Sequence, residues 1–166
     1  FFFCLMIQPP PRSTQCRSSA ASDVYKRQVH HTEDLPAPVR EKIPAFSPTN
    51  ALITTEKLVQ ALNSFLDENT ILITEVGDAV MMSLDCTIKR VGGYLSPAYY
   101  SSLGYSVPAA IGIQAADPEI RPLVLTGDGA FQMTGMEIST AARYGMNPIV
   151  IVINNCGFGT ERPMID

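Results

Sequence analysis

The chain has 166 residues, of which 46% are hydrophobic and 17% charged, a composition that excludes a disordered, highly charged protein. Lys and Arg number 12 against 16 Asp and Glu, and the net charge of −4 argues against a nucleic-acid binder held by phosphate contacts. No run of residues approaches the roughly 18 consecutive apolar residues of a membrane-spanning helix. We therefore expect neither a nucleic-acid partner nor a membrane.

Glycine and proline divide the sequence into three segments. All 11 Gly lie at or after Gly77, whereas seven of the 13 Pro lie at or before Pro48. Residues 1–28 resemble translated cloning or adaptor sequence, so we expect a non-native, disordered leader there. The prolines of residues 29–50 favour extended backbone and predict an interdomain linker. Residues 51–166 are expected to form part of a packed domain.

Histidine and cysteine give no sign of a metal or disulfide site. The pair His30-His31 falls in the predicted linker, and we interpret it as solvated rather than catalytic. No C-x-x-C spacing occurs, so neither zinc nor a disulfide framework is indicated, and a reducing cytoplasm is the expected location. The four cysteines are Cys4, Cys16, Cys86 and Cys156.

The first half of the domain reads as helix, strand and helix. Thr54 or Thr55 can cap a helix that ends near Asn69. Its predicted buried face consists of Leu58, Leu62, Phe65 and Leu66. Residues 71–74 predict a buried strand, and residues 78–89 a helix. The buried face predicted for that second helix consists of Val80, Leu84 and Ile88.

The second half continues the alternation. Residues 91–100 predict a loop and residues 103–116 a buried helix, with Pro108 implying a kink or a nearby start. Residues 123–126 and 149–153 predict strands, and residues 134–143 a helix that Gly145 ends. Such alternation predicts an α/β fold, a parallel sheet flanked by helices.

Polar residues follow two of these strands. One strand runs into Gly127-Asp128-Gly129 and the other into Asn154-Asn155-Cys156-Gly157, and ligands of parallel sheets bind beyond such strand ends. The Asp128 carboxylate, the Asn155 amide oxygen and the Gly157 carbonyl are the oxygen ligands that Mg²⁺ accepts when diphosphate and water complete its shell. Glycine at 127 and 129 lets a phosphate approach the backbone.

The spacing of these two turns makes the pattern specific. Either turn alone is common and is consistent with ordinary turn chemistry. Together they combine a strand, GDG, 24 intervening residues and NN at the end of another strand. Other phosphate motifs fit poorly, since the third Gly of G-x-G-x-x-G is missing and no G-x-x-x-x-G-K-[ST] occurs.

The stretch GDGAFQMTGMEISTAARYGMNPIVIVINN resembles the thiamine diphosphate and Mg²⁺ motif of thiamine-dependent enzymes. With CGFGTERPMID after it, the sequence is similar to the branch of indolepyruvate and pyruvate decarboxylases, over about residues 48–166. The resemblance implies a thiamine diphosphate-binding fold, thiamine diphosphate and Mg²⁺ as cofactors, and a 2-oxo acid substrate. It also implies a homodimer or homotetramer for the complete enzyme.

By this resemblance, Asp128, Asn155 and the Gly157 carbonyl would hold Mg²⁺ on the cofactor diphosphate. Leu103 would be the bulky side chain that bends the cofactor. The family often has a hydroxyl residue where Val76 and Asp78 stand. Besides the three residues that would hold Mg²⁺, the residues that would contact the cofactor are Val76, Gly77, Asp78, Ser101, Ser102, Leu103, Gly127, Gly129 and Ala130.

Glu161 is the candidate catalytic residue, six residues after Asn155. Decarboxylases of this group carry a carboxylate there, which exchanges a proton near the reactive carbon of the cofactor. The structural alternative is a surface Glu paired with Arg162. An acid at this position favours decarboxylation over the carboligation of acetolactate-synthase-like enzymes. A non-catalytic binding module of the same fold is the remaining alternative.

The family places its cofactor-activating Glu and its paired active-site histidines on a separate pyrimidine-binding domain. No such domain is recognised in this sequence, and the family's diphosphate-binding domain continues beyond the equivalent of Asp166. We therefore expect a piece of an enzyme, truncated at both ends and without turnover of its own.

Overall fold

The computed structural model describes residues 43–48 and 53–159, which belong to one unit of the chain, Ile43–Asp166. The predicted leader, most of the predicted linker with His30-His31, and Glu161 lie outside the described residues. None of the helices in the described part is both long and apolar enough to span a bilayer.

Four parallel strands form the sheet, in the order β2-β1-β3-β4. The strands are β1 (Thr70–Thr74), β2 (Tyr94–Leu95), β3 (Arg121–Gly127) and β4 (Ile149–Ile153). Leu125 of β3 pairs with Thr74 on one side and Ile151 on the other. The predicted α/β architecture is confirmed, as are the three strands that apolar runs indicated.

Helices cover both faces of this sheet. They are α1 (Thr55–Phe65), α2 (Asp78–Ser83), α3 (Ser106–Ala116), α4 (Asp128–Thr134) and α5 (Ile138–Arg143), with a 3₁₀ turn at Gly135–Glu137. One apolar cluster joins α1 and α2 to Leu72 and Leu125, and the other joins α3 to Ile73 and Val124. Adjacent strand residues point to opposite faces, so each buried strand contributes to both clusters.

Helix α1 confirms its predicted cap but not its predicted face. The Thr54 hydroxyl accepts from the Lys57 amide at 3.3 Å. The buried stripe is Val59, Leu62 and Leu66, while Phe65 is 46% exposed and the helix ends at Phe65 rather than near Asn69. Phe65 precedes Leu66 by one residue, about 100° around a helix, and so points away from the sheet.

Helix α2 is much shorter than the predicted 78–89, and the predicted apolar face is not formed. The Ser83 hydroxyl donates to the Val80 carbonyl at 2.7 Å, and Leu84 is 62% exposed. The Asn63 side chain then binds the carbonyl of Asp85 at 3.1 Å and the amide of Thr87 at 2.7 Å. These bonds give the backbone partners outside a helix, which explains its early end.

The predicted loop 91–100 is wrong at two residues. Tyr94 and Leu95 form the short strand β2 beside Leu72 and Ile73 of β1. The Leu72 amide donates to the Gly93 carbonyl at 2.9 Å, so β1 has a hydrogen-bonded neighbour on this side as well.

Helix α3 begins at Ser106, three residues later than predicted, and Pro108 lies in its first turn as a nearby start requires. Buried Glu75 determines this beginning. Its Oε2 accepts from the amide of Ser106 at 3.2 Å and from the hydroxyl of Ser106 at 2.7 Å. A carboxylate at a helix N-terminus satisfies unpaired amides and favours the dipole.

The helix predicted from residue 134 instead begins at Asp128, directly after β3, and the 3₁₀ turn at Gly135–Glu137 interrupts it. Its predicted end is confirmed. Gly145 has φ +67°, its amide donates to Ala142 at 3.2 Å, and the Met146 amide donates to Ala141 at 2.9 Å. This pair of bonds is the Schellman motif that glycine favours.

Candidate functional site

The strand order locates a crevice at the carboxyl end of the sheet. The chain passes from β1 outward to β2 and from β3 outward to β4, in opposite directions. Neighbouring strands whose connections diverge in this way leave a crevice in which ligands of α/β proteins bind. The turns after β1 and β3 begin at this point.

A cavity of about 300 Å³ lies in the crevice. All predicted cofactor-contacting residues except Ser102 line it. The lining residues are Val76, Gly77, Asp78, Ala79, Ser101, Leu103, Gly127, Asp128, Gly129, Ala130, Ile153, Asn155, Gly157, Phe158 and Gly159. Four segments that are distant in sequence thus meet around one space.

Four of these residues were not predicted: Ala79, Ile153, Phe158 and Gly159. Phe158 is the most informative, because a Cβ on Gly129 would lie 2.7 Å from its ring. The ring therefore packs directly on the Gly129 backbone and holds the loop after β4 against the turn after β3. The ring occupies the space that the sequence predicted for a phosphate at Gly129. An aromatic residue between two glycines is the sequence signal that could have indicated Phe158.

Oxygen atoms from two turns converge in the cavity. Asn155 Oδ1 lies 2.6 Å from the carbonyl oxygen of Gly157 and 3.2 Å from Asp128 Oδ1. Neighbouring ligands of an octahedral Mg²⁺, each at about 2.0–2.1 Å, are about 2.9 Å apart. With the amide oxygen on this side, these two separations bracket that value, so the three oxygens are compatible with a shared Mg²⁺.

The three oxygens would supply only part of a coordination shell. Within residues 43–48 and 53–159, no group of three or more His, Cys, Asp or Glu could hold a metal by itself. Three protein oxygens leave about half of an octahedron for other oxygen ligands. This is the arrangement expected where a cation bridges a protein and a phosphorylated ligand.

The turn after β3 leaves room for such a ligand. Gly127 has φ −80° and ψ 159°, which any residue adopts, and a Cβ there would meet nothing within 4 Å. Asp128 is the first residue of α4, so the first-turn amides of that helix open directly beside the cavity. Such amides have no partner within a helix and bind anions such as phosphate.

Backbone strain is concentrated at the cavity. Among the described residues, Ser101 (φ +52°) and Cys156 (φ +65°) are the non-glycine residues with positive φ. Ser101 lines the cavity, and Cys156 lies between Asn155 and Gly157, with its amide bound to Asn154 Oδ1 at 3.0 Å. Strain of about 1–3 kcal/mol per residue is typical of positions that a ligand site constrains.

The loop that carries Ser101 and Leu103 is tied to α4. The Thr134 hydroxyl donates to the Gly104 carbonyl at 2.9 Å, and Gly104 has φ +82°. Leu103 is half-buried on the cavity wall. The loop is therefore fixed relative to the turn after β3.

Two carboxylates dominate the charge of the cavity. Asp78 and Asp128 line it, whereas none of its described lining residues is Lys, Arg or His. A diphosphate would meet a negative surface there unless a divalent cation accompanied it.

Residues 75–164 match the family described as thiamine pyrophosphate enzyme, C-terminal TPP binding domain. The chain belongs to this family. The resemblance inferred from the sequence is thereby confirmed, together with the α/β fold of thiamine diphosphate-binding domains.

Curated relatives of the chain carry the names of decarboxylases. An alpha-keto-acid decarboxylase of Mycolicibacterium paratuberculosis is 27% identical over 86% of this chain and 25% of its own length. A putative pyruvate decarboxylase of Schizosaccharomyces pombe is 38% identical over 60% of this chain and 18% of its own length. An indole-3-pyruvate decarboxylase of Azospirillum brasilense is 38% identical over 55% of this chain and 16% of its own length. The chain thus spans a quarter or less of the length of each.

Proposed function

We propose that this chain carries the diphosphate- and Mg²⁺-binding half of the active site of a thiamine diphosphate-dependent 2-oxo acid decarboxylase. The observation that carries the proposal is the convergence of Asp128, Asn155 and Gly157 oxygens beside the open space at Gly127. The names of the relatives support decarboxylation as the reaction.

The proposed roles follow the positions of the residues around the cavity. Asp128, Asn155 and the Gly157 carbonyl hold Mg²⁺, and the backbone at Gly127, Gly129 and Ala130 receives the diphosphate. Thiamine diphosphate, when bound, supplies a thiazolium that accepts the electron pair left by departing CO₂. Glu161, which follows Asn155 by six residues, exchanges a proton at the reacting carbon.

The remaining cofactor contacts come from two other turns. The Ser101 carbonyl would accept from the amino group of the pyrimidine, Ser102 would also contact the cofactor, and Leu103 would be the bulky side chain that bends it. Val76, Gly77 and Asp78 would form a further contact with the cofactor. Constrained backbone at Ser101 favours these roles, because it orients the carbonyl before the cofactor arrives.

The proposal extends to the complete enzyme. Residues 51–166 represent part of the diphosphate-binding domain, preceded by a linker, and a pyrimidine-binding domain supplies the remaining groups. We propose a cytoplasmic homodimer or homotetramer that releases an aldehyde and CO₂. Acetohydroxy acid in place of aldehyde as the product would contradict the decarboxylase assignment and favour a carboligase.

Phosphorus NMR of thiamine diphosphate tests the site on this chain, since the method detects weak complexes. We expect the phosphate resonances to shift when chain and Mg²⁺ are both present, and not when EDTA removes the metal. Asp128→Ala should weaken this binding by about 100-fold or more, because removing even a partner of a metal ligand costs about 10–100-fold.

Asp85→Ala is the matched control, since Asp85 is an exposed carboxylate outside the cavity. It should bind as the wild-type chain does. Binding that is independent of metal, or equal in Asp128→Ala and the wild-type chain, would contradict the proposed site.

A further inference from the structure

The Asn155 side chain lies between two carboxylates that come from different strands. Its Nδ2 donates to Asp78 Oδ2 at 3.3 Å, and its oxygen faces Asp128 and the Gly157 carbonyl. Asp78 follows β1 and Asp128 follows β3, so the amide bridges the two turns of the crevice.

The Asn155 amide can take two orientations, and only one of them directs its oxygen toward the proposed cation. Rotated by 180°, its nitrogen would donate to the Gly157 carbonyl at 2.6 Å and to Asp128 Oδ1 at 3.2 Å. The oxygen would then face the Asp78 carboxylate, which cannot donate to it when ionised. The rotated amide would present its NH₂ group, which is no metal ligand, to the proposed cation position.

The hydrogen bond to Asp78 exists only in the orientation that directs oxygen toward the cation. The Asn155 side chain is exposed, so packing does not fix its orientation. Asp78 therefore favours the metal-binding orientation, in competition with the Gly157 carbonyl and Asp128, which would attract the NH₂ group when no cation is present. Outer partners of metal ligands commonly act in this way.

We infer that Asp78 is a positioning residue that accepts from Asn155 Nδ2 and thereby holds the amide oxygen toward Mg²⁺. This inference rests on the proposed function, because it assumes the cation at Asp128, Asn155 and Gly157. Asp78 acts through its acceptor oxygen, since the amide stands between its carboxylate and the other oxygens.

A pair of uncharged variants separates the acceptor from the charge. Asn and Leu are close to Asp in size and both remove the charge, but only Asn keeps an acceptor oxygen. With Mn²⁺ as the metal probe and saturating thiamine diphosphate, electron paramagnetic resonance reports bound Mn²⁺. We expect Asp78→Leu to weaken Mn²⁺ binding by about 10–100-fold. Asp78→Asn, which keeps the acceptor oxygen, should lose clearly less Mn²⁺ binding than Asp78→Leu does.

A second variant pair tests the same contact from the other side. Asn155→Asp has no NH₂ group to donate, so Asp78 can no longer position the residue at 155. In that background, adding Asp78→Leu should no longer weaken Mn²⁺ binding. A merely structural effect of Asp78→Leu would persist in both backgrounds, and circular dichroism melts establish that each variant is folded.

The outcomes distinguish this inference from the proposed function. No Mn²⁺ binding by the wild-type chain with thiamine diphosphate would overturn both. Normal wild-type binding with equal losses in Asp78→Asn and Asp78→Leu would overturn only the positioning role and indicate charge instead. Unchanged binding in Asp78→Leu would also overturn it. If Asp78→Leu fails to fold, Asp78→Ala replaces it with the same expectation.

Discussion

The turns after β1 and β3 use the same two residues in the same order. In each, Gly is followed by Asp at the first position of a helix: Gly77-Asp78 opens α2 and Gly127-Asp128 opens α4. The two turns flank the crevice, and their Asp residues lie on opposite sides of the Asn155 amide. Yet their backbones and surroundings show that the two glycines are present for different physical reasons.

Glycine at 77 permits an unusual backbone conformation, whereas glycine at 127 leaves open space beside the backbone. Gly77 has φ +81° and ψ −139°, a region that side chains with a Cβ rarely enter. Gly127 has φ −80° and ψ 159°, which suits any residue, and its missing Cβ would meet no atom of the protein. Neither fold nor packing therefore requires glycine at 127, whereas the diphosphate proposed to lie close to this backbone would.

Among the substitutions that test this comparison, Gly77→Ala should have the largest effect on stability. An L-residue at this φ and ψ should lower the free energy of unfolding by about 1–3 kcal/mol. Urea denaturation followed by circular dichroism measures it, since the chain has no Trp for fluorescence. A change below about 0.5 kcal/mol, the range of ordinary surface substitutions, would show that the backbone does not require glycine here.

Gly127→Ala should have the opposite signature. The free energy of unfolding should stay unchanged or rise by up to about 1 kcal/mol, because Ala restricts the unfolded chain and fits the native φ. Its methyl group projects into the space proposed for the diphosphate, so binding of thiamine diphosphate with Mg²⁺ should weaken by about tenfold, or about 1.4 kcal/mol. Phosphorus NMR on the same samples provides the comparison.

The contrast between the two glycines fails if Gly127→Ala unfolds readily or binds the cofactor normally. The first result would mean that the backbone is strained at 127 as it is at 77. The second would mean that the diphosphate lies elsewhere in the cavity.

Patterns within a few residues account for the parts of the fold that were predictable. Apolar runs identified β1, β3 and β4, Thr54 indicated the start of α1, and Gly145 indicated the end of α5. The spacing between Gly127-Asp128-Gly129 and Asn155 indicated that these two turns lie together, because it reflects one crossover between neighbouring parallel strands. Each of these signals is local or depends on a connection of fixed length.

Contacts between distant segments account for what the sequence did not predict. Asn63 binds Asp85 and Thr87, and so ends α2 early, from more than 20 positions away. The bond between Asp78 and Asn155 spans 77 positions and depends on the sheet order β2-β1-β3-β4. Periodicity and local motifs contain no information about such partners.

The smallest expected effect concerns Cys86, which lies on the β1 side of the sheet and away from the cavity. Burial, and secondarily the charge of Asp85, raises the pKa of this thiol from 9.0 to about 11. The unfolded chain then ionises above about pH 9 while the folded chain keeps the thiol neutral. The stabilisation is therefore fully present below pH 9 and is lost as the pH rises toward 11.

Comparing the unfolding free energies of wild type and Cys86→Ala across this range separates the contribution of the Cys86 thiol from those of the Tyr and Lys titrations. We expect a shallower decline in Cys86→Ala, and identical slopes would show that the thiol is not desolvated beneath α1.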